Sequence, residues 1–227
     1  MKYKSDYKNI LIFSGVIFLF AIALTIWAWD KVPNDAQIPV HWNAKGEVDG
    51  YRGKTIGLLM GPATVFFLSI LLAFLPRIDP RLKNLQQSQK AYEIVWGGVV
   101  LFMAILHLIT ILSVLGYAIN MSAAMAFLLG ILFMAIGNYL GKVRSNFMFG
   151  IRTAWTLSSE ISWNKTHRLG GWLFFITGLL VFLSGLWRNG ELTFGLLFAG
   201  TLSSVILLFG YSYWVWKSDE ERTENKK

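Results

Sequence analysis

Apolar residues run along this chain in six long blocks, at residues 9–29, 55–75, 94–117, 122–140, 170–187 and 192–216. Each is close to or above the ~20 residues that an α-helix needs to cross the hydrocarbon core of a bilayer. Lys2, Lys4 and Lys8 precede the first block much as basic residues precede a secretory signal. The block is uncharged and far longer than the ~7–15 apolar residues of a cleaved signal, so it predicts a retained anchor. Trp27, Trp29, Trp187, Trp214 and Trp216 lie at block ends, where indole rings favour the headgroup layer. The pattern predicts an all-α integral membrane protein with six transmembrane helices.

The polar stretches between blocks are not all plain connectors. Residues 30–54 contain the strand-like run Ile38-Pro39-Val40-His41-Trp42, then Asn43-Ala44-Lys45-Gly46, with turn residues at both ends, and a second turn signal at Asp49-Gly50. A small hairpin-like cap on one membrane face is expected. His41, Glu47 and Asp49 offer metal-ligand chemistry, but their spacing matches no metal-site pattern, and a hydrogen-bonded turn scaffold explains them as well.

The stretch 141–171 is stranger still. It carries Phe147, Met148, Phe149, Ile151, Trp155 and Trp163, interleaved with Arg144, Arg152, Lys165 and Arg168. A solvated loop has no use for so many aromatic and apolar side chains, so the segment is expected at the membrane interface or re-entering the bundle. Thr156 or Ser158 can cap a helix with Glu160 in its first turn. On that helix Glu160, Asn164, His167 and Gly171 fall on one stripe, with Trp163 beside them. Arg152, just ahead of the helix start, could help hold an anion; a headgroup anchor with a solvated face is the alternative.

Composition agrees with the pattern: 55% of the 227 residues are hydrophobic and 15% charged, with a mean hydropathy of +0.50. Soluble domains carry roughly a quarter charged residues, and disordered chains fewer apolar ones. The absence of Cys excludes disulfides and thiolate chemistry. The net charge of +8 suggests nucleic acid or anionic membrane as a partner until the charges are placed. With the N-terminus inside, the inner segments hold 16 Lys and Arg and the outer ones 5. The positive-inside rule then predicts both termini in the cytoplasm, with the whole net charge on that side. Those cations are spread over four juxtamembrane segments, which argues against direct contact with nucleic acid.

The expected organisation is a two-span unit over 1–75 with its extracytoplasmic loop at 30–54, a cytoplasmic linker at 76–93, a four-span unit over 94–216 with its motif loop at 141–171, and a charged tail at 217–227. Gly57 and Gly61, like Gly137 and Gly141, have the small-xxx-small spacing of close helix packing, within the chain or between copies. Pro62 predicts a kink in the second span. His107 sits alone in the third span, as a functional group or as a neutral donor to a neighbouring helix.

The two unusual loops also carry a resemblance. Residues 137–171, GNYLGKVRSNFMFGIRTAWTLSSEISWNKTHRLGG, resemble the signature of the SdpI family of membrane immunity proteins from Gram-positive bacteria. Residues 38–54, IPVHWNAKGEVDGYRGK, resemble the small uncharacterised domain ahead of that signature in longer members. Two prolines usual in the family are replaced, by Ser145 and Ala154, which bears on the turn geometry of the loop. The resemblance implies cell-membrane immunity against a secreted antimicrobial peptide. It also implies signalling, in which the membrane protein captures a cytoplasmic repressor. The inner partner-binding residues are then expected among Asn138, Arg144, Gly150, Arg152, Thr153, Trp155, Thr156, Glu160, Trp163, His167 and Arg168, and the outer ones among His41, Trp42, Asn43, Gly46, Asp49, Gly50 and Tyr51.

The competing class is a membrane lipid-handling protein or enzyme. It would use Glu160 and His167 as an acid–base pair and Arg144 and Arg152 to grip a lipid phosphate. No nucleophile with an evident partner supports catalysis, and nothing in the pattern calls for a cofactor. A transporter has little to work with, since His107, Glu93 and Asn138 are the polar groups in or beside the spans that could serve an ion path.

Overall fold

A computed structural model describes residues 7–219. Lys2 and Lys4, and the predicted charged tail from residue 220 onward, lie outside the described residues. Among the described residues, six helices are long and apolar enough to cross a membrane. They are α1 (Lys8–Trp29), α2 (Lys54–Phe74), α4 (Gln89–Val114), α5 (Met121–Leu140), α7 (Glu160–Ser184) and α8 (Gly190–Lys217). Short helices α3 (Leu82–Gln87) and α6 (Ala154–Ser158) lie in connections, and single 3₁₀ turns extend α2 to Ile78 and α7 to Trp187. Large side chains such as Ile26, Phe67, Trp172 and Ile206 are exposed along the long helices. Water would not tolerate such a belt, and lipid requires it.

Helix α4 packs against α1 and α2 and, on its other side, against α5. Helix α5 lies along α7, and α7 along α8. Glycines set how close α5 and α7 come: a Cβ on Gly137 would lie 2.6 Å from the Gly171 carbonyl oxygen, and one on Gly178 2.7 Å from that of Gly130. The small-xxx-small residues of α2 likewise serve packing within the chain. Gly57 makes room for Ile38 of the hairpin, and Gly61 for the ring of His107.

Pro62 lies inside a helix that continues to Phe74, so the predicted kink does not divide α2. A proline has no N–H, which leaves the carbonyl four residues earlier without its helical donor. That carbonyl is Leu58, and the Thr25 hydroxyl of α1 donates to it at 3.2 Å. Thr25 Oγ1 is in turn 2.9 Å from His107 Nε2 of α4. With the hydroxyl proton given to Leu58, the imidazole must be the donor in that pair. The three helices are thus tied by one polar chain around the site of the proline, and His107 takes the neighbour-donor role.

Strands β1 (Gln37–Trp42) and β2 (Val48–Gly53) pair antiparallel between α1 and α2. The turn sits where the pattern predicts it. Asn43 Oδ1 accepts from the N–H groups of Lys45 (2.9 Å) and Glu47 (3.1 Å), and Gly46 takes a left-handed φ of +83°. Asp49-Gly50, expected as a second turn, lies instead within β2. The register runs from Pro39↔Tyr51 to His41↔Gly50 and on to Trp42↔Val48, so Val40 and Asp49 are each an unpaired extra residue. Two opposed bulges restore the register, and Gly50 is required because a Cβ there would lie 2.9 Å from the His41 Cβ. An isolated two-stranded hairpin is only marginally stable. This one is anchored by Ile38, fully buried among Ala28, Val32, Leu58 and Ile111, and its turn rests against Ser122 and Gly190.

Candidate functional site

At the end of the bundle away from the hairpin, residues 141–153 form the motif loop, which is ordered by buried polar side chains. Asn146, fully buried, accepts at Oδ1 from the N–H groups of Met148 (2.9 Å) and Phe149 (2.6 Å) and donates to the Arg144 carbonyl. Asp79, also buried, accepts from Phe147 (3.0 Å), Met148 (3.1 Å) and Arg81 (2.7 Å) backbone N–H groups. Arg81 donates to the Ser145 hydroxyl and to the Leu157 carbonyl, with its guanidinium 4.9 Å from the Phe147 ring centroid. Asn84 donates to the Ser145 carbonyl, and the Arg144 N–H donates to Ser88. The 76–93 linker therefore clamps the motif loop. Asp79, Arg81, Asn84, Ser88 and Asn146 are absent from the residues that the sequence singles out. Asp79-Pro80 was the available signal, since Asp before Pro often starts a turn.

Below the loop, α7 supplies Trp163 and His167, both fully buried. Their rings stack with centroids 3.9 Å apart. Trp163 Nε1 donates to the Val143 carbonyl at 2.6 Å. The Ile151 N–H donates to His167 Nε2 at 2.9 Å, and His167 Nδ1 lies 2.8 Å from the Trp163 carbonyl. A ring facing a donor on one side and an acceptor on the other is held neutral, with its proton on Nδ1. Gly150 passes over this ring at φ +117°. A Cβ there would lie 2.4 Å from His167 Nε2, so glycine is needed for space as well as for its backbone angle.

The helix predicted to start at Thr156 or Ser158 is two helices. Thr153 caps α6 through a reciprocal box with Thr156, and Ser159, in extended conformation, caps α7. Ser159 donates to Asp219 at the end of α8, a long-range contact that holds the break open. Thr153 also donates to Ser212 of α8 at 3.1 Å, and Trp155 packs edge-on against Phe209 and Tyr213. Ala154 is the first residue of α6, a position where proline fits because its N–H is unneeded; the capping box forms without it. Ser145 does work that proline could not, because its hydroxyl receives Arg81.

The predicted stripe is split. Glu160 and Asn164 are exposed, whereas His167 and Gly171 are buried. Both nitrogens of His167 are engaged by backbone groups, so Glu160 and His167 form no acid–base pair. Arg152 closes the loop on itself by donating to the Phe147 carbonyl. The helix after it has five residues, too short to build an anion site at its start. Of the inner candidates, Thr156, Trp163 and His167 shape the buried frame, with Gly150, Thr153 and Trp155 packed against it. Asn138, Arg144, Arg152, Glu160 and Arg168 present side chains outward.

At the opposite end, His41, Trp42, Asn43 and Gly46 line a cavity of about 500 Å³ between the hairpin and α4, α5 and α8. Its deeper wall is apolar, with Met125, Leu129, Phe194 and Leu197. His41 Nδ1 contacts Asp49 Oδ1, and Asn43 Nδ2 donates to Glu47, so the three candidate metal ligands divide into separate pairs. Among the described residues no group of three His, Cys, Asp or Glu gathers as a metal site. Gly50 lies under His41, and Tyr51 is exposed on the outer strand.

Residues 142–212, covering the motif loop and α6 to α8, match the SdpI/YfhL protein family. Residues 16–74, covering α1, the hairpin and α2, match a domain of unknown function, DUF1648. The chain is 24% identical over 176 residues to the Immunity protein SdpI of Bacillus subtilis (strain 168), an alignment spanning 77% of this chain and 79% of that protein. No solved structure matches the chain. The chain thus carries a segment similar to the SdpI/YfhL protein family at 142–212, preceded by a segment similar to DUF1648 at 16–74.

Proposed function

We propose that the chain is a membrane immunity protein that protects its cell against a secreted antimicrobial peptide. The observation that carries this reading is the similarity to Immunity protein SdpI over 77% of the chain. In this reading both termini are cytoplasmic, as the Lys and Arg excess in the segments at that end requires. The hairpin then faces outward, and its cavity, polar at the mouth and apolar within, receives an apolar part of the peptide. The outward-facing arginines of the motif loop meet the cytoplasmic partner, a repressor held at the membrane. A link between the faces is supported by the seam they share: the hairpin joins α2 to α5 and α8, and the linker joins α2 to the motif loop.

The test is expression in a peptide-sensitive strain followed by challenge with the peptide. Survival is expected with the full chain and with Arg152→Gln, and lost with Trp42→Ala; unchanged killing with the full chain overturns the immunity role for that peptide. Orientation has its own test, simplified by the absence of cysteine. A cysteine at Ala44 should react with an impermeant maleimide added to intact cells, and one at Lys165 should not.

A further inference from the structure

We propose that the groove between the ends of α5 and α7, beside the motif loop, binds the phosphate headgroup of an anionic phospholipid. Its volume is about 520 Å³, within the ~300–1,000 Å³ of small-molecule sites. Its floor is backbone, because Gly137 and Gly171 bring the two helices into contact there. Two cations flank it, Lys142 from just past α5 and Arg168 from α7. Both are exposed, and among the described residues neither forms a salt bridge. Lys142 lies over the Tyr139 ring at 4.3 Å, a contact that leaves its three N–H donors available.

The order of side chains along the groove fits a lipid better than a free anion. Asn138 and Lys142 are one helical turn apart, and Arg168, Trp172 and Phe175 follow one another at i, i+4 and i+7. Helix α7 runs away from the motif loop, so Arg168 lies at the outer end of the groove and Phe175 deepest within the apolar span. The sequence of groups is two cations, then an amide, then a 64% exposed Trp172, then a phenyl ring. That matches phosphate, glycerol ester and acyl chain in turn. The other arginine expected to grip a phosphate, Arg152, is committed to the Phe147 carbonyl. Arg144 lines no part of the groove.

The test is native mass spectrometry of the full chain in detergent with phosphatidylglycerol, diacylglycerol of the same acyl chains, or inorganic phosphate. Phosphatidylglycerol should be retained and diacylglycerol not. At roughly fivefold per cation, K142Q/R168Q should weaken retention more than tenfold. The charge-matched K83Q/K165Q, at exposed positions of the same end, should leave it unchanged. Gly141→Leu keeps both charges and fills the groove, and should also release the lipid. Equal loss in the two double variants, or retention in Gly141→Leu, overturns the site. Displacement of the lipid by millimolar inorganic phosphate overturns the lipid in favour of a soluble anion.

Discussion

The two ends of the bundle are ordered by opposite means. In the hairpin, the turn and ionic bonds join close neighbours: Asn43 to Lys45 and Glu47, His41 to Asp49. In the motif loop, the anchoring bonds come from Asp79, Arg81, Asn84 and Ser88, which lie 56 to 69 positions away along the chain. The hairpin thus sets its own shape, and its grip on the bundle rests mainly on one apolar anchor, Ile38. The motif loop has local bonds at Asn146, but the linker and α7 fix it in place. A self-contained hairpin can shift as a unit when something binds beneath it, whereas the loop moves only together with the α2–α4 connection. That contrast places adaptability at one end and rigid coupling at the other, as the proposed division of tasks between the faces would need.

Among the polar side chains, the largest effect should come from Asp79→Ala. It strands the backbone N–H groups of Arg81 and Phe147, whereas that of Met148 keeps its bond to Asn146. At about 1–3 kcal/mol for each buried donor left unpaired, and with incomplete additivity, a loss of about 2–4 kcal/mol is expected. Tryptophan fluorescence during thermal unfolding in detergent measures it. Asp49→Ala in the hairpin is the matched control and should cost far less; equal losses would break the contrast between the ends.

Gly150→Ala should follow closely. The left-handed backbone angle and the 2.4 Å approach to His167 Nε2 together imply about 2–3 kcal/mol. The cost arises where α7 meets the loop, so hydrogen exchange of the Ile151 amide, which donates to His167, should accelerate more than that of hairpin amides. Uniform acceleration would mean that the loop does not fold as a unit distinct from the rest.

The spans were legible because lipid leaves the backbone one economical answer, a long apolar helix, and length alone reveals it. The hairpin was legible for the same reason that it is self-contained, since Asn43 and Gly46 write its turn locally. The misreading there is instructive. Asp49-Gly50 has turn chemistry, but Gly50 answers a steric demand from His41 across the sheet. The clamp left only a turn signal, Asp79-Pro80, and nothing in the sequence that named its partners. A carboxylate in a polar linker looks solvated, and its partners, the N–H groups of Phe147 and Met148, carry no sequence signature. The break at Ser159 was hidden likewise, because the group that receives its hydroxyl, Asp219, is 60 residues away. His107 shows the intermediate case. Proline, threonine and histidine were each visible, but only packing makes them one chain.

That chain beneath the hairpin separates local from long-range order in a single measurement. Thr25→Val should cost about 0.6 kcal/mol and at most about 1.7, the range for hydrogen bonds between membrane helices. Pro62→Ala restores an N–H four residues after Leu58 and gives its carbonyl a helical partner. In that background Thr25→Val should cost less, because the carbonyl is already satisfied. Additive losses in the double-mutant cycle would remove Pro62 from the explanation.

The smallest effect should be found in the ionic contacts of the hairpin. The His41 and Asp49 side chains are 71% and 44% exposed, and Lys45 meets Glu191 at 4.0 Å with both side chains well exposed. Exposed pairs are worth about 0–1 kcal/mol and are screened by salt. His41→Ala, Lys45→Ala and the two combined should therefore shift unfolding by less than about 1 kcal/mol each, while Ile38→Ala, which empties the anchor, should cost about 2–5 kcal/mol. A hairpin held by charge would respond to ionic strength and lose its position at high salt. One held by Ile38 against Gly57 keeps its position there, and any change that His41→Ala makes in the proposed peptide protection would then report contact with a peptide instead of a displaced hairpin.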